Sequence, residues 1–218
     1  SMVGADFVLF KPMPSYRMGP GFSFGRASRT EGKNHPGGVM FHYYIKDTVK
    51  AVASLEIMEM SGTLIKKFAT KPDRKANDEQ LRIKPGGNQF VWNTRYKNAE
   101  GFDGIIMWAG SLNGPKAMPG NYKARLTVNG KSQETEFEIL KDPRTTASLA
   151  DIKEQFAFLI SVRDKLTETN QAVKKIRTTR DQINRVTEPM RGKEDMKEVT
   201  DMAKTILDDM KKIEEALY

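Results

Sequence analysis

The chain contains no cysteine. That absence excludes disulfides, thiolate nucleophiles and cysteine-based metal sites together. Histidine is scarce as well, with only His35 and His42 present. Two histidines cannot build a three-histidine zinc centre. The residue inventory therefore points to no metal and no cofactor. No run of 18 apolar residues occurs, so no membrane span is expected. A signal-peptide pattern is also missing. Ser1-Met2 reads as an expression remnant, so that absence leaves the compartment open.

What is there describes a globular chain. Its 218 residues are 38% hydrophobic and 29% charged, enough for one large domain or two small ones. The formal net charge is +8. Residues 1–142 carry 21 Lys and Arg against 14 Asp and Glu, while residues 143–218 carry 15 against 14. The basic excess is spread out, without a dense run or a basic helix, which argues against nucleic acid as a partner.

Three segments follow one another. Residues 1–38 are loop-like, punctuated by Met18-Gly19-Pro20-Gly21 and His35-Pro36-Gly37-Gly38. They read as a connector that packs on this sandwich or on a domain outside the given sequence. Residues 39–142 have strand grammar. Val39–Ile45 is β-branched and aromatic, and Ala53, Leu55 and Ile57 alternate with polar neighbours. Ser61-Gly62 separates that run from Thr63–Phe68, as a hairpin would. Asn88–Asn93 is the next strand, and a short strand is expected near Ile105–Trp108. Tyr122, Ala124, Leu126 and Val128 then alternate up to Asn129-Gly130, the preferred pair for a type I′ turn, and Lys131–Leu140 returns. About seven short strands predict an immunoglobulin- or fibronectin-like β-sandwich.

Residues 143–218 change to helical grammar. Ser148 and Asp151 form a capping-box pattern that opens a helix over about 149–186. Leu159, Val162, Leu166, Thr169, Val173, Ile176, Arg180 and Ile183 step by threes and fours. Pro189 and Gly192 break the helix. A second helix over about 194–217 carries Met196, Val199, Ala203, Ile206, Met210, Ile213 and Leu217. Two heptad stripes around a short breaker predict an antiparallel, coiled-coil-like hairpin. The first helix is about 55 Å long and the second about 35 Å. Part of the first stripe thus lacks a partner. Ile152, Phe156 and Leu159 are placed to lean on the sandwich. The rest of the stripe invites a third helix or a second copy of the chain, with self-association as the expectation.

Motifs that suggest catalysis fail on context. Gly130-Lys131-Ser132 resembles the end of a phosphate loop, but Arg125 stands where its first glycine is needed, and the tripeptide lies in a hairpin. Gly19, Gly21 and Gly25 miss dinucleotide-binding spacing. Gly21-Phe22-Ser23-Phe24-Gly25 matches a nucleophile elbow without the helix an elbow requires, so Ser23 reads as a loop serine. Glu134, Glu136 and Glu138 alternate as a wet strand face, and His42 is a strand histidine. No catalytic residue is assigned. Tyr96, Phe102 and Trp108 flank one loop and could stack on a glycan, whereas Trp92 reads as core.

Four stretches carry a resemblance. They are Asn34–Val39 leading to Tyr43-Tyr44, then Leu55-Glu56-Ile57 with Ser61-Gly62; Asn88–Asn93 with Arg95-Tyr96; Gly114–Tyr122; and Gln155-Phe156 through Arg163–Leu166 to Ile176-Arg177. Together they resemble the C-terminal region of large bacterial β-propeller proteins of the sortilin-like, BNR-repeat or glycosyl-hydrolase-like kind. The resemblance implies a propeller domain as partner in the parent chain and a secreted or periplasmic setting. It also implies that any hydrolase activity belongs to the propeller, and that further helix follows Tyr218. The expected function is thus a non-catalytic accessory module. Glycan binding near Trp108 is the alternative, and a hydrolase fragment the second alternative.

Overall fold

A computed structural model describes residues 4–18, 37–48, 51–73 and 78–218. Ser23 with its glycines, and His35, lie outside the described residues. The chain divides into two compact units. The first comprises Ser1–Lys97 and Asn113–Leu159, and the second Asn98–Leu112 and Ile160–Tyr218.

The first unit is built on two sheets. Its strands are β1 (Phe7–Leu9), β2 (Ser15–Arg17), β3 (Val39–Ile45), β4 (Ala53–Glu59), β5 (Leu64–Ala69), β6 (Glu79–Gln80), β7 (Gly86–Trp92), β8 (Gly120–Val128) and β9 (Lys131–Lys141). One sheet has the order β1-β3-β7, the other β2-β9-β8-β4-β5-β6. Most pairs are antiparallel; β2 joins β9, and β6 joins β5, in parallel. Alternation explains which faces meet. Val39, Phe41, Tyr43 and Ile45 of β3 are buried, as are Leu55 and Ile57 of β4 and Ala124 and Leu126 of β8.

The two sheets share one core. Phe41 meets Phe137 edge-on at 5.2 Å between ring centres, and Trp92 meets Phe137 at 6.1 Å. Trp92 is core, as its strand position predicts, and its Nε1 donates to the Arg95 carbonyl at 3.0 Å. Burying a large apolar side chain here contributes about 1.5–3 kcal/mol. The β8–β9 turn places Asn129 at φ 50° and Gly130 at φ 82°, the left-handed pair that a type I′ turn demands. Helix α1 (Leu149–Thr187) begins in this unit. The Ser148 amide donates to Asp151 Oδ2 at 2.7 Å and the Asp151 amide to Ser148 Oγ at 3.1 Å, a reciprocal capping box. Ile152 is buried, and Phe156 packs against Tyr96 at 4.9 Å.

The second unit holds the rest of α1, helix α2 (Lys197–Leu217) and the loop 98–112. Short 3-10 turns at Glu188–Met190 and Glu194–Met196 carry the connection, where Pro189 and Gly192 had marked a break. The helices form the expected hairpin. Glu214, late in α2, accepts from Arg177 Nε at 2.7 Å and from Arg180 Nη1 at 3.0 Å.

Two expectations need correction. The segment 1–38 is not merely a connector: β1 and β2 extend both sheets, with Phe7 in the core. No strand forms near Ile105–Trp108, which is loop. That loop has neither a period-2 pattern nor a strand partner, and it clusters with the helices instead.

Candidate functional site

The loop 98–112 is anchored at its base by the helical unit. The Glu100 amide donates to Thr167 Oγ1 at 3.1 Å, and the buried Asn170 donates through Nδ2 to the Glu100 carbonyl at 2.6 Å. Gln171 Nε2 reaches Glu100 Oε2 at 3.0 Å. Phe102 is only 7% exposed; it meets Tyr218 edge-on at 4.9 Å, with the Arg177 guanidinium 4.6 Å from its ring centre. Such a cation held over a ring adds about 0.5–2 kcal/mol. The Ile106 amide donates to the Tyr218 hydroxyl at 2.6 Å.

Above that base the loop turns outward. Ile106 is 72% exposed and Trp108 is 100% exposed. Tryptophan carries more apolar surface than any other side chain, so full exposure is unusual for a folded loop.

The three aromatics expected to form a platform are not equivalent. Trp108 is free of packing. Phe102 is buried, its ring packed against both Arg177 and Tyr218. Tyr96 belongs to the other unit. It is half-buried against Phe156 and donates its hydroxyl to Glu59 Oε1 at 2.8 Å. Burial, then that hydrogen bond, pushes its phenol well above the usual tyrosine range.

The helical stripe also splits. Val173 is fully buried, Ala203 is buried, and Leu166, Ile176, Ile183, Met196 and Met210 are half-buried. Val199, Ile206, Ile213 and Leu217 are exposed, with Met202 beside them and Ile213 at 54%. On a 3.6-residue wheel these five fall within one narrow face. Its outer flank is acidic, with Glu198, Asp201 and Asp209 exposed. Leu159 is exposed on the α1 segment of the first unit.

The Arg177–Arg180–Glu214 cluster escaped the sequence reading. One signal was available: Arg180 is the one charged residue in the α1 stripe, and a cation at a seam position needs a carboxylate partner.

His42 is exposed on β3, and Glu134, Glu136 and Glu138 line an exposed face of β9. Glu134 takes an ion pair from Arg125 at 2.7 Å. Among the described residues, no group of three or more His, Asp or Glu side chains is placed to hold a metal ion. No described helix is long and apolar enough to cross a membrane.

Fold and surfaces together define a class: a two-sheet β-sandwich followed by a helical hairpin that carries an outward loop. No family model and no curated protein matches the chain.

Proposed function

We propose that the chain is a non-catalytic interaction module that offers the apolar surface of its helical unit to a partner. The observation that carries this reading is the exposed row Val199, Met202, Ile206, Ile213 and Leu217 on α2. A contiguous apolar row on a charged helix marks an interaction face more often than an idle one. The partner proposed is a second copy of the chain, on grounds of charge. Residues 194–218 carry eight acidic and four basic side chains, whereas residues 160–187 carry seven basic and three acidic. An α2 face with acidic flanks suits the basic α1 of another copy.

The resemblance to sortilin-like, BNR-repeat and glycosyl-hydrolase-like propeller proteins supplies the setting. In that reading the sandwich is immunoglobulin- or fibronectin-like, sits beside a propeller of the parent chain, and works in the periplasm or outside the cell. Sedimentation velocity over a concentration series tests the self-association. Wild type should associate, and Ile206→Glu should weaken it. A single monomeric species at every concentration would refute the proposal.

A second reading has its own observation. The fully exposed Trp108 offers a ring on which a sugar can stack. A glycan array should then show binding that Trp108→Ala abolishes. Identical profiles for both proteins would remove this reading.

A further inference from the structure

The sandwich unit holds three cations that its packing does not explain. Arg95 and Lys116 form an isolated antiparallel bridge. The flanking hydrogen bonds run from the Tyr96 amide to the Pro115 carbonyl, at 2.9 Å, and from the Ala117 amide to the Thr94 carbonyl, at 2.6 Å. Arg95 and Lys116 therefore occupy a non-hydrogen-bonded pair, the arrangement that brings opposed side chains closest together. Like charges placed so are destabilising. Arg17, the last residue of β2, adds a third cation. Its Nε donates to the Ala117 carbonyl at 3.0 Å, one residue from Lys116.

The cations are steered by the backbone, not by carboxylates. Arg95 Nη1 donates to the Gly114 carbonyl at 2.8 Å, and Lys116 Nζ to the Met18 carbonyl. Among the described residues, none of the three makes an ion pair. Each keeps N–H groups beyond those already used. Glu59 is engaged elsewhere, by Tyr96 at 2.8 Å and by Ser61 Oγ at 3.4 Å. Burial, then Arg95 and Arg17, hold the Lys116 ammonium below the usual lysine range.

The local backbone is shaped to keep this arrangement. Thr94, buried, sits at φ 60°, a conformation that costs a β-branched residue energy. Gly114 has no room for a side chain: a Cβ there would lie 2.3 Å from the Lys97 carbonyl oxygen and 2.4 Å from that of Tyr96. Strain at Thr94, an obligatory glycine at 114 and opposed like charges meet at this one bridge.

We propose that Arg17, Arg95 and Lys116 form a binding site for a single oxyanion group, a sulfate or phosphate in preference to a carboxylate. Two guanidinium forks and one ammonium are the donor set that suits a tetrahedral dianion. A bound anion offsets the repulsion between the opposed Arg95 and Lys116.

Thermal unfolding tests this with sodium sulfate, inorganic phosphate and sodium acetate, each against sodium chloride at matched ionic strength. Sulfate or phosphate should raise the midpoint saturably beyond chloride, and acetate less. Lys116→Gln and Arg95→Gln should each weaken the sulfate response about tenfold or more, the loss of one charge-assisted hydrogen bond. Lys116→Gln should also raise the midpoint in chloride alone, because it removes the like-charge pair. Lys71→Gln, at an exposed position, should respond as wild type. Amide shifts on sulfate addition should concentrate at Arg95, Tyr96, Lys116 and Ala117, a readout that needs no variant. Equal midpoints in sulfate and chloride, or shifts scattered over the surface, would overturn the proposal. A stronger response to acetate would overturn its preference for sulfate and phosphate.

Discussion

Individual residues carry much of the sandwich's specificity. Gly114 is the sharpest case, because the atoms a Cβ would strike are two backbone oxygens that cannot swing away. Gly114→Ala should cost upwards of about 2 kcal/mol, seen as a lowered unfolding midpoint by circular dichroism. Gly87→Ala is the control, since nothing lies within 4 Å of its would-be Cβ. Equal midpoints for the two variants would contradict this account. Three tyrosines make a second case. Burial pushes Tyr43 and Tyr122 up to about 12, and Tyr96 rises as well. Raised above about 10 in the unfolded chain, these phenols favour the fold while protonated. Their contribution is whole below about pH 10 and is lost as the pH climbs towards 12. Absorbance of the native protein should show a lagging tyrosinate fraction that vanishes on denaturation. Tyr43→Phe or Tyr122→Phe should shrink it. Simultaneous titration of all six tyrosines before unfolding would exclude such burial.

Elements differ in how openly the sequence announces them. Strands β4, β8 and β9 alternate, β3 is rich in β-branched and aromatic residues, and α1 and α2 repeat over many turns, so local pattern reveals them. Strands β1 and β2 have three residues each. That is too short for any period, and they exist through their pairing with β3 and β9. The loop 98–112 is less legible still. Its partners, Thr167, Asn170, Arg177 and Tyr218, lie some 65 to 115 residues away, and no local pattern encodes a contact at that range. Of the aromatics singled out, only Trp108 is fully exposed, because exposure is decided by those distant partners. Asn170 makes the dependence testable. Asn170→Ala leaves the Glu100 carbonyl without its donor, a loss of about 1–3 kcal/mol for a buried group. Hydrogen exchange should accelerate across residues 99–112 while α1 keeps its helicity. Unchanged loop protection would show that the anchor lies elsewhere.

The two units of the whole molecule are unequal in what they bury. Among the described residues, nineteen buried side chains form the sandwich core, from Phe7 to Ile139. The helical unit buries Ala99, Phe102, Asn170, Val173 and Ala203. Stability follows buried apolar area at roughly 25 cal/mol per Å², so the helical unit should open first. The two tryptophans allow the units to be followed separately. Trp92 is buried in the sandwich, and Trp108 is fully exposed before unfolding begins. In a Trp108→Phe background, fluorescence reports the sandwich, while ellipticity at the helical minimum reports chiefly the helices. The helical midpoint should come at lower urea. Val173→Ala, which empties the best-buried position of the seam, should cost about 1–3 kcal/mol and move the helical transition alone. Coincident transitions that shift together would mean that the long α1, shared between the units, couples them into one cooperative body.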